Sequence, residues 1–471
     1  MKIKTTRLLT ALILSGSLFG CAAIVKSPYE QPSVNVPSSF QNSKTTTSTV
    51  YQDVQADQWW TLFGDQQLNQ LVNQVIERNT DLAVAGLNLQ TARLQAGLAE
   101  NKQGIRVSSS VSTGHNIDLN SGDDSSKGLS LSGGVSYKTD LFGKLARQTE
   151  AAKWEALASE QDLQATAQSL IATTAQLYWQ LGYLNERYNV AQQNLASTQK
   201  TYELVRTQYR LGAVSGLDLA TAEQAVQSQK STLSQIAQQK VETRTALAVL
   251  LQQPVQQLSI QEPTHLPATT LPMIEAGLPA ELLARRPDLN ASELRLRKAL
   301  ATKDATKASY YPSISLTGNL GSSSTSLTSL LQNPALALGA NLSLPFLQYN
   351  DMKKDIAISK LDYEKAIVQY RQTLYQAFAD VENALSARIE LDKQVANQER
   401  NVQLAEKAER LNEIRYKNGA IALKNLIDAQ KTTRDARVSL VQTKQNQYNA
   451  YVTLMKALGG STIKQLPLIK N

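Results

Sequence analysis

Apolar and polar residues alternate with a period of two in four stretches of about ten residues each. Ile105, Val107 and Val111 alternate with Arg106, Ser108 and Ser110. Leu129, Leu131, Val135 and Tyr137 alternate with Ser130, Ser132, Ser136 and Lys138. Ile314, Leu316 and Leu320 stand against Ser315, Thr317 and Asn319, and Leu336, Leu338, Leu342 and Phe346 against Gly339, Asn341 and Ser343. The pattern predicts strands over 104–114, 129–140, 312–321 and 336–346, with one face apolar and the other polar, the form of a transmembrane β-strand. A soluble half-buried hairpin would show the same alternation once; four strands in two matched pairs favour the membrane. The rest of the chain is helical in character. Residues 144–211 hold no proline and one glycine, Gly182, while 217–253, 352–418 and 424–458 hold neither. These ranges predict helices, and 65 residues of helix run roughly 100 Å. Such lengths call for a coiled-coil-like or barrel assembly.

An internal repeat organises these elements. Arg78-x-x-Asp81-Leu82 returns as Arg285-x-x-Asp288-Leu289, and Tyr209-x-x-Gly212-Ala213 as Tyr416-x-x-Gly419-Ala420. Leu219 and Leu251 return as Leu426 and Leu458, and every pair is offset by 207. A constant offset across so much chain means duplication. The repeats occupy 57–253 and 280–460, each opening with a helix (about 65–102 and 279–308). Between them lies 254–279, a linker holding five of the 13 prolines. A tail, 461–471, closes the chain.

The N-terminus is of another kind. Lys2, Lys4 and Arg7 precede an apolar stretch, Leu8 to Phe19, too short to span a bilayer, so 1–20 read as a secretory signal. It runs into Leu18-Phe19-Gly20-Cys21-Ala22, which resembles a bacterial lipoprotein signal, and Cys21 is the chain's one cysteine. Cys21 is the expected lipidation site, with a diacylglyceryl group and a palmitate-type amide-linked chain, since one acyl chain holds only marginally. Ala22 rather than Asp implies, by the same resemblance, the outer membrane. Residues 21–56, rich in Ser, Thr, Pro and Gln, read as an extended lipidated tether with no core of its own.

Composition then excludes several functions. The net charge of +8 falls to +5 once Lys2, Lys4 and Arg7 are removed, and the remaining basic residues are interleaved with acids. Nucleic-acid binding needs a concentrated basic face, which is missing. Two histidines, His115 and His265, and one cysteine cannot build a metal cluster, a Cys–His nucleophile or a disulfide framework. No cofactor or metal is expected, and no catalytic residue. After the N-terminus no apolar run of 18 residues appears, which excludes a polytopic helical membrane protein. Four strands cannot close a barrel, and an open sheet edge is not viable in lipid. Two chains would pool eight strands and three would pool twelve; only the larger number opens a channel.

With Trp59-Trp60, Phe63-Gly64-Asp65, Asp140-Leu141-Phe142-Gly143, Arg286-Pro287-Asp288-Leu289, Tyr311-Pro312 and Leu426-Ile427-Asp428-Ala429-Gln430 in this order, the chain resembles the outer membrane factor (TolC-like) family. Its lipoprotein features resemble the branch that serves tripartite drug-efflux pumps. The resemblance implies a mixed α and β membrane protein: a homotrimer whose twelve-stranded outer membrane β-barrel continues into a periplasmic α-helical barrel. It implies a passive exit duct gated at its periplasmic end. A periplasmic adaptor docks there and links it to an inner-membrane transporter. It places adaptor contacts at Leu211, Gly212, Ala213, Gly419 and Ala420, and an acidic pore ring at Asp428. Lys424 stands where related lipoproteins often carry an apolar gate residue, so Leu423 or Leu426 would supply the plug, or the ring would be basic. The main rival is a periplasmic adaptor lipoprotein, which would show one helical hairpin within a split β domain and no long duplication. A secreted coiled-coil protein would lack paired strands, and an enzyme has no constellation to offer.

Overall fold

The computed structural model describes residues 25–42, 58–117, 124–267, 271, 285–324, 329, 330, 332 and 334–460. Cys21, the signal segment 1–20 and the tail 461–471 lie outside them. The elements, in order, are α1 (Gln66–Arg78), α2 (Thr80–Asn101), β1 (Arg106–Ile117), β2 (Asp124–Lys138), α3 (Lys144–Arg210), α4 (Gly216–Leu250), α5 (Pro287–Ala308), β3 (Ser313–Ser324), β4 (Pro334–Ser343), α6 (Tyr349–Lys417) and α7 (Leu423–Ala457). Adding 207 to the bounds of α2, β1 and α4 gives those of α5, β3 and α7 without a residue's difference. The chain forms two compact units, each drawn from both repeats.

The first unit holds 25–34, 87–161 and 289–373. Its strands form one antiparallel sheet in the order β1-β2-β3-β4. β1 and β3 run past their expected ends, through His115 to Ile117 and Ser322 to Ser324, because backbone pairing with β2 continues where the apolar alternation stops. One face is apolar and open: Val107 is 79% exposed, Leu338 80% and Leu336 69%. The helices meet the strands through local chemistry. Asp140 accepts hydrogen bonds from the N–H groups of Leu145 (2.9 Å) and Ala146 (2.7 Å), capping the start of α3. Phe142 lies against Tyr311, with ring centroids 4.7 Å apart.

The expected tether is extended but not free. Val25 is buried. Ser27 donates its N–H (2.7 Å) and hydroxyl (2.8 Å) to the two oxygens of Asp304, a carboxylate 2% exposed. Tyr29 donates to Glu293 (3.2 Å), and the Arg297 guanidinium lies 4.3 Å from the Tyr29 ring centroid. Gln31 donates to the Tyr370 hydroxyl. The reason is side-chain pairing with α5 and α6, which a composition rich in Ser and Pro does not disclose.

The second unit holds 35–86, 162–288 and 374–460. Trp59 and Trp60, 1% and 2% exposed, start a short 3₁₀ turn that ends at Gly64. Phe63 packs on Trp179, Tyr448 and Tyr451, at centroid distances of 5.3, 5.9 and 5.1 Å. Asp65 caps α1 through the N–H groups of Gln67 and Leu68, and its second oxygen accepts from the Tyr178 hydroxyl at 2.8 Å. Burial, then this bond, pushes the phenol of Tyr178 well above its ordinary range. The expected helix over 65–102 is broken at Asn79. That side chain caps α2 at the N–H groups of Asp81 (2.9 Å) and Leu82 (3.3 Å) and donates to the Leu250 carbonyl (3.0 Å) at the end of α4. The duplicate position is Arg286, and it donates to the Ala457 carbonyl at the end of α7. Arg286 also pairs with Asp288 (2.7 Å) and Asp380 (3.1 Å). An amide and a guanidinium thus close the same joint in the two repeats.

Asp304→Ala leaves the Ser27 groups without their acceptor, a cost of about 1–3 kcal/mol. The expected outcome is protease cleavage within residues 25–34 under conditions that spare the parent. Equal resistance of the two proteins would place the hold on this segment elsewhere.

Candidate gate and docking tips

Two helix–turn–helix tips carry most of the expected site residues, and both belong to the second unit. α3 ends in a Schellman turn: the Gly212 N–H donates to the Tyr209 carbonyl (3.0 Å) and the Ala213 N–H to the Gln208 carbonyl (2.8 Å). α6 ends the same way, Gly419 to Tyr416 and Ala420 to Arg415, both 2.9 Å. Gly212 and Gly419 have φ of 74° and 70°, and nothing lies within 4 Å of a Cβ at either. Backbone handedness, not crowding, therefore demands glycine there. Gly212, Ala213, Gly419 and Ala420 are all exposed, and Leu211 is 78% exposed.

Beyond the turns the two tips differ. Ser215 opens α4 with a reciprocal cap: its hydroxyl oxygen accepts from the Asp218 N–H (3.2 Å), and Asp218 accepts from the Ser215 N–H (3.0 Å) and hydroxyl (2.7 Å). The duplicate residue, Ala422, has no side-chain cap to give α7. The second tip is held instead by its core. Leu423 and Leu426, 5% and 2% exposed, are buried with Val205, Ala222 and Tyr416. The Tyr416 hydroxyl donates to Gln208 (2.7 Å) and Gln430 to the Thr201 hydroxyl (3.0 Å).

Leu423 and Leu426, the expected plug residues, face inward within this chain. Both are consumed in packing one hairpin on the other within a single chain, where helical periodicity alone does not tell an inward face from a lumen face. Lys424 and Asp428 are the outward residues, with side chains 81% and 56% exposed, and they pair with each other at 2.5 Å. Lys431 and Asp435 repeat the arrangement two turns on, at 2.6 Å. The 4–3–4 spacing of these four residues keeps them on one stripe of α7. Sequence reading named the first pair and passed over the second, although the spacing was there to be read. It also passed over Leu217. That residue is the duplicate of Lys424 and is 77% exposed, so the apolar member of the pair sits on the first tip. The His265 ring Nδ1 shares a hydrogen bond with the Thr264 hydroxyl, at 2.9 Å. Among the described residues no group of three or more His, Cys, Asp or Glu could hold a metal ion. None of their helices is long and apolar enough to cross a membrane.

A duplicated chain with a four-stranded, lipid-compatible sheet and very long helical hairpins defines a class of outer membrane conduit. The outer membrane efflux protein family model matches residues 71–252 and 278–460, and the chain belongs to that family. It is 30% identical to the probable efflux pump outer membrane protein TtgC of Pseudomonas putida, over 98% of this chain and 97% of that one. It is 30% identical to the pyoverdine export outer membrane protein OpmQ of Pseudomonas aeruginosa, over 86% and 87%. Its fold matches the open-state MtrE outer membrane channel of Neisseria gonorrhoeae with a TM-score of 0.80 and 30% identity, over 93% and 98%. The protein is an outer membrane channel component of an efflux system, and the adaptor alternative is set aside.

Ser215→Ala removes a cap worth about 1 kcal/mol, so amide exchange at 216–219 is expected to quicken about fivefold while 423–426 are unchanged. Ser215's hydroxyl and then its backbone N–H hold the Asp218 carboxyl below its ordinary value of 3.8. A depressed folded value stabilises fully above about pH 4 and is lost as pH falls through it. Protection of the first tip, measured in the parent, should therefore drop on acidification below that point. A first tip indifferent to both changes would mean that the box does not hold it.

Proposed function

We propose that three copies of this chain assemble into a passive export duct, closed at its periplasmic tips until a periplasmic adaptor docks there and couples it to an inner-membrane transporter. The observation that carries this reading is the sheet. Among the described residues its outer strands, β1 and β4, each have an unpaired edge, and its apolar face is open. Lipid tolerates neither loose edge, so the four strands must be pooled, and three chains give a twelve-stranded barrel wide enough to conduct. Helix α6 adds a matching requirement. Ile358, Leu361, Val368 and Tyr375 are all 50% exposed or more, an apolar stripe that a neighbouring helix would cover.

The gate follows from the tips. Asp428 at a threefold axis would bring three carboxylates together, but each is already neutralised by Lys424 of its own helix. A solvent-exposed pair of this kind is worth at most about 1 kcal/mol. Tip charges already paired within each helix leave no strong ionic lock between chains for a docking partner to break. Leu211 and Leu217, with the turn residues Gly212, Ala213, Gly419 and Ala420, form the contact for the adaptor. Cys21 carries the lipid, and outer membrane lipid is thus a partner at both the anchor and the barrel. No nucleic acid and no cofactor enters.

Lys424→Ala with Asp428→Ala is expected to raise single-channel conductance in planar bilayers and to increase uptake of large antibiotics by cells. Unchanged conductance, alongside a large change from substitution in the 116–128 loop, would place the constriction at the cell surface.

Cys21→Ser should abolish acylation, read by mass, while the protein still runs as a trimer in mild detergent and resists a high-salt wash. A monomer that washes off membranes would contradict both the anchor and the pooled barrel.

A further inference from the structure

The polar face of the sheet is unusual in its charges. Its positions follow from the register: Arg106 opposite Ser136, Ser108 opposite Gly134, Ser110 opposite Ser132 and Ser112 opposite Ser130. Lys138 lies opposite Ser315, and that residue opposite Asn341. The hydroxyls of Ser110 and Ser132 meet at 2.8 Å and those of Ser112 and Ser130 at 2.7 Å, so paired hydroxyls line this wall between β1 and β2. Gly134 is part of it: a Cβ there would lie 2.7 Å from Asn319 Oδ1 and 2.9 Å from Ser108 Oγ. Glycine lets those two polar groups close over the strand. From Gly114 and Gly128 down to Arg106 and Lys138, the wall contains Ser, Thr, Asn, Gly and Ala but no carboxylate.

Its only charges over that span are cationic, and both are at one end, where β1 begins and β2 ends. Arg106 and Lys138 are exposed, and neither makes an ion pair among the described residues. The acid nearest in sequence, Asp140, caps the start of α3 by accepting from two backbone N–H groups. The field is felt locally: burial and then Lys138 hold the Lys144 ammonium below its ordinary range, against an opposing pull from Asp140.

We propose that Arg106 and Lys138 form a cationic collar at the helix-side mouth of the barrel, which favours small organic anions over cations of the same size. The inference rests on the trimeric duct, where the collar holds six positive charges. A twelve-stranded barrel with strands about 4.8 Å apart and tilted about 40° has a radius of roughly 12 Å. The screening length is about 10 Å at 0.1 M salt and about 3 Å at 1 M. The collar therefore reaches the axis at ordinary ionic strength and fades in concentrated salt. The uncharged wall beyond it adds no barrier to an anion and offers hydroxyl donors along the way.

The test is the reversal potential of purified channels in planar bilayers under a tenfold KCl gradient around 0.1 M. The background is Lys424→Ala with Asp428→Ala, which removes those tip charges. The parent channel is expected on the chloride side, with a preference of about threefold. Arg106→Ser with Lys138→Ser, which extends the serine wall, should remove the preference. Arg106→Glu with Lys138→Glu should reverse it, and near 1 M salt all three should converge. Identical reversal potentials in parent and serine channels of equal conductance would overturn the collar. If the glutamate variant fails to assemble, the serine variant decides. A parent that forms no channel at all would instead overturn the duct reading, and the collar with it.

Discussion

A β-strand presents a row of N–H and C=O groups on each side, and in hydrocarbon no water is available to pair with them. Among the described residues of one chain three strand pairings are made, and the outer sides of β1 and β4 stay open. The apolar face, with Val107, Leu336 and Leu338 uncovered, commits the sheet to lipid all the same. Every larger feature answers to that conflict. Duplication supplies four strands rather than two. In the proposed duct, neighbouring copies supply the missing partners.

The helical part obeys a different rule, that long helices are held at their ends. Asn79 and Arg286 each reach a carbonyl at the end of a 35-residue helix, Leu250 and Ala457, by side chains of different length and charge. Arg286 brings Asp288 and Asp380 with it, because a guanidinium taken out of water needs carboxylates to stand beside it. The tips diverge in a related way. Ser215 and Asp218 hold one helix start by hydrogen bonds, while Leu423 and Leu426 hold the other by burial. The tip that spends its leucines inside the chain is the one whose outer stripe is charged.

The strands and turns were legible because their signals are local. Alternation identified all four strands, and Gly212 and Gly419 marked both turns, since only left-handed backbone needs glycine in that setting. The lost details were those that depend on distant partners. Nothing near Asn79 announces that its amide would break a helix to reach residue 250. Leu423 and Leu426 have the spacing of a lumen face and of a packed face alike, and only the position of Val205 and Tyr416 distinguishes the two. The polar composition of residues 25–42 concealed a docked segment whose acceptors, Asp304 and Glu382, belong to the other repeat.

That docked segment also has a place in time. The partners of Ser27, Tyr29, Gln31 and Asn42 lie 277, 264, 339 and 340 residues further along the chain. A chain made from its N-terminus therefore exposes this segment first and can fasten it only after the second repeat exists. Contacts of such sequence separation are the slowest to form. The strap can thus be secured only once the chain has been made as far as α5 and α6. Chains that stop before residue 293 would have none of these partners and would keep an open N-terminal arm.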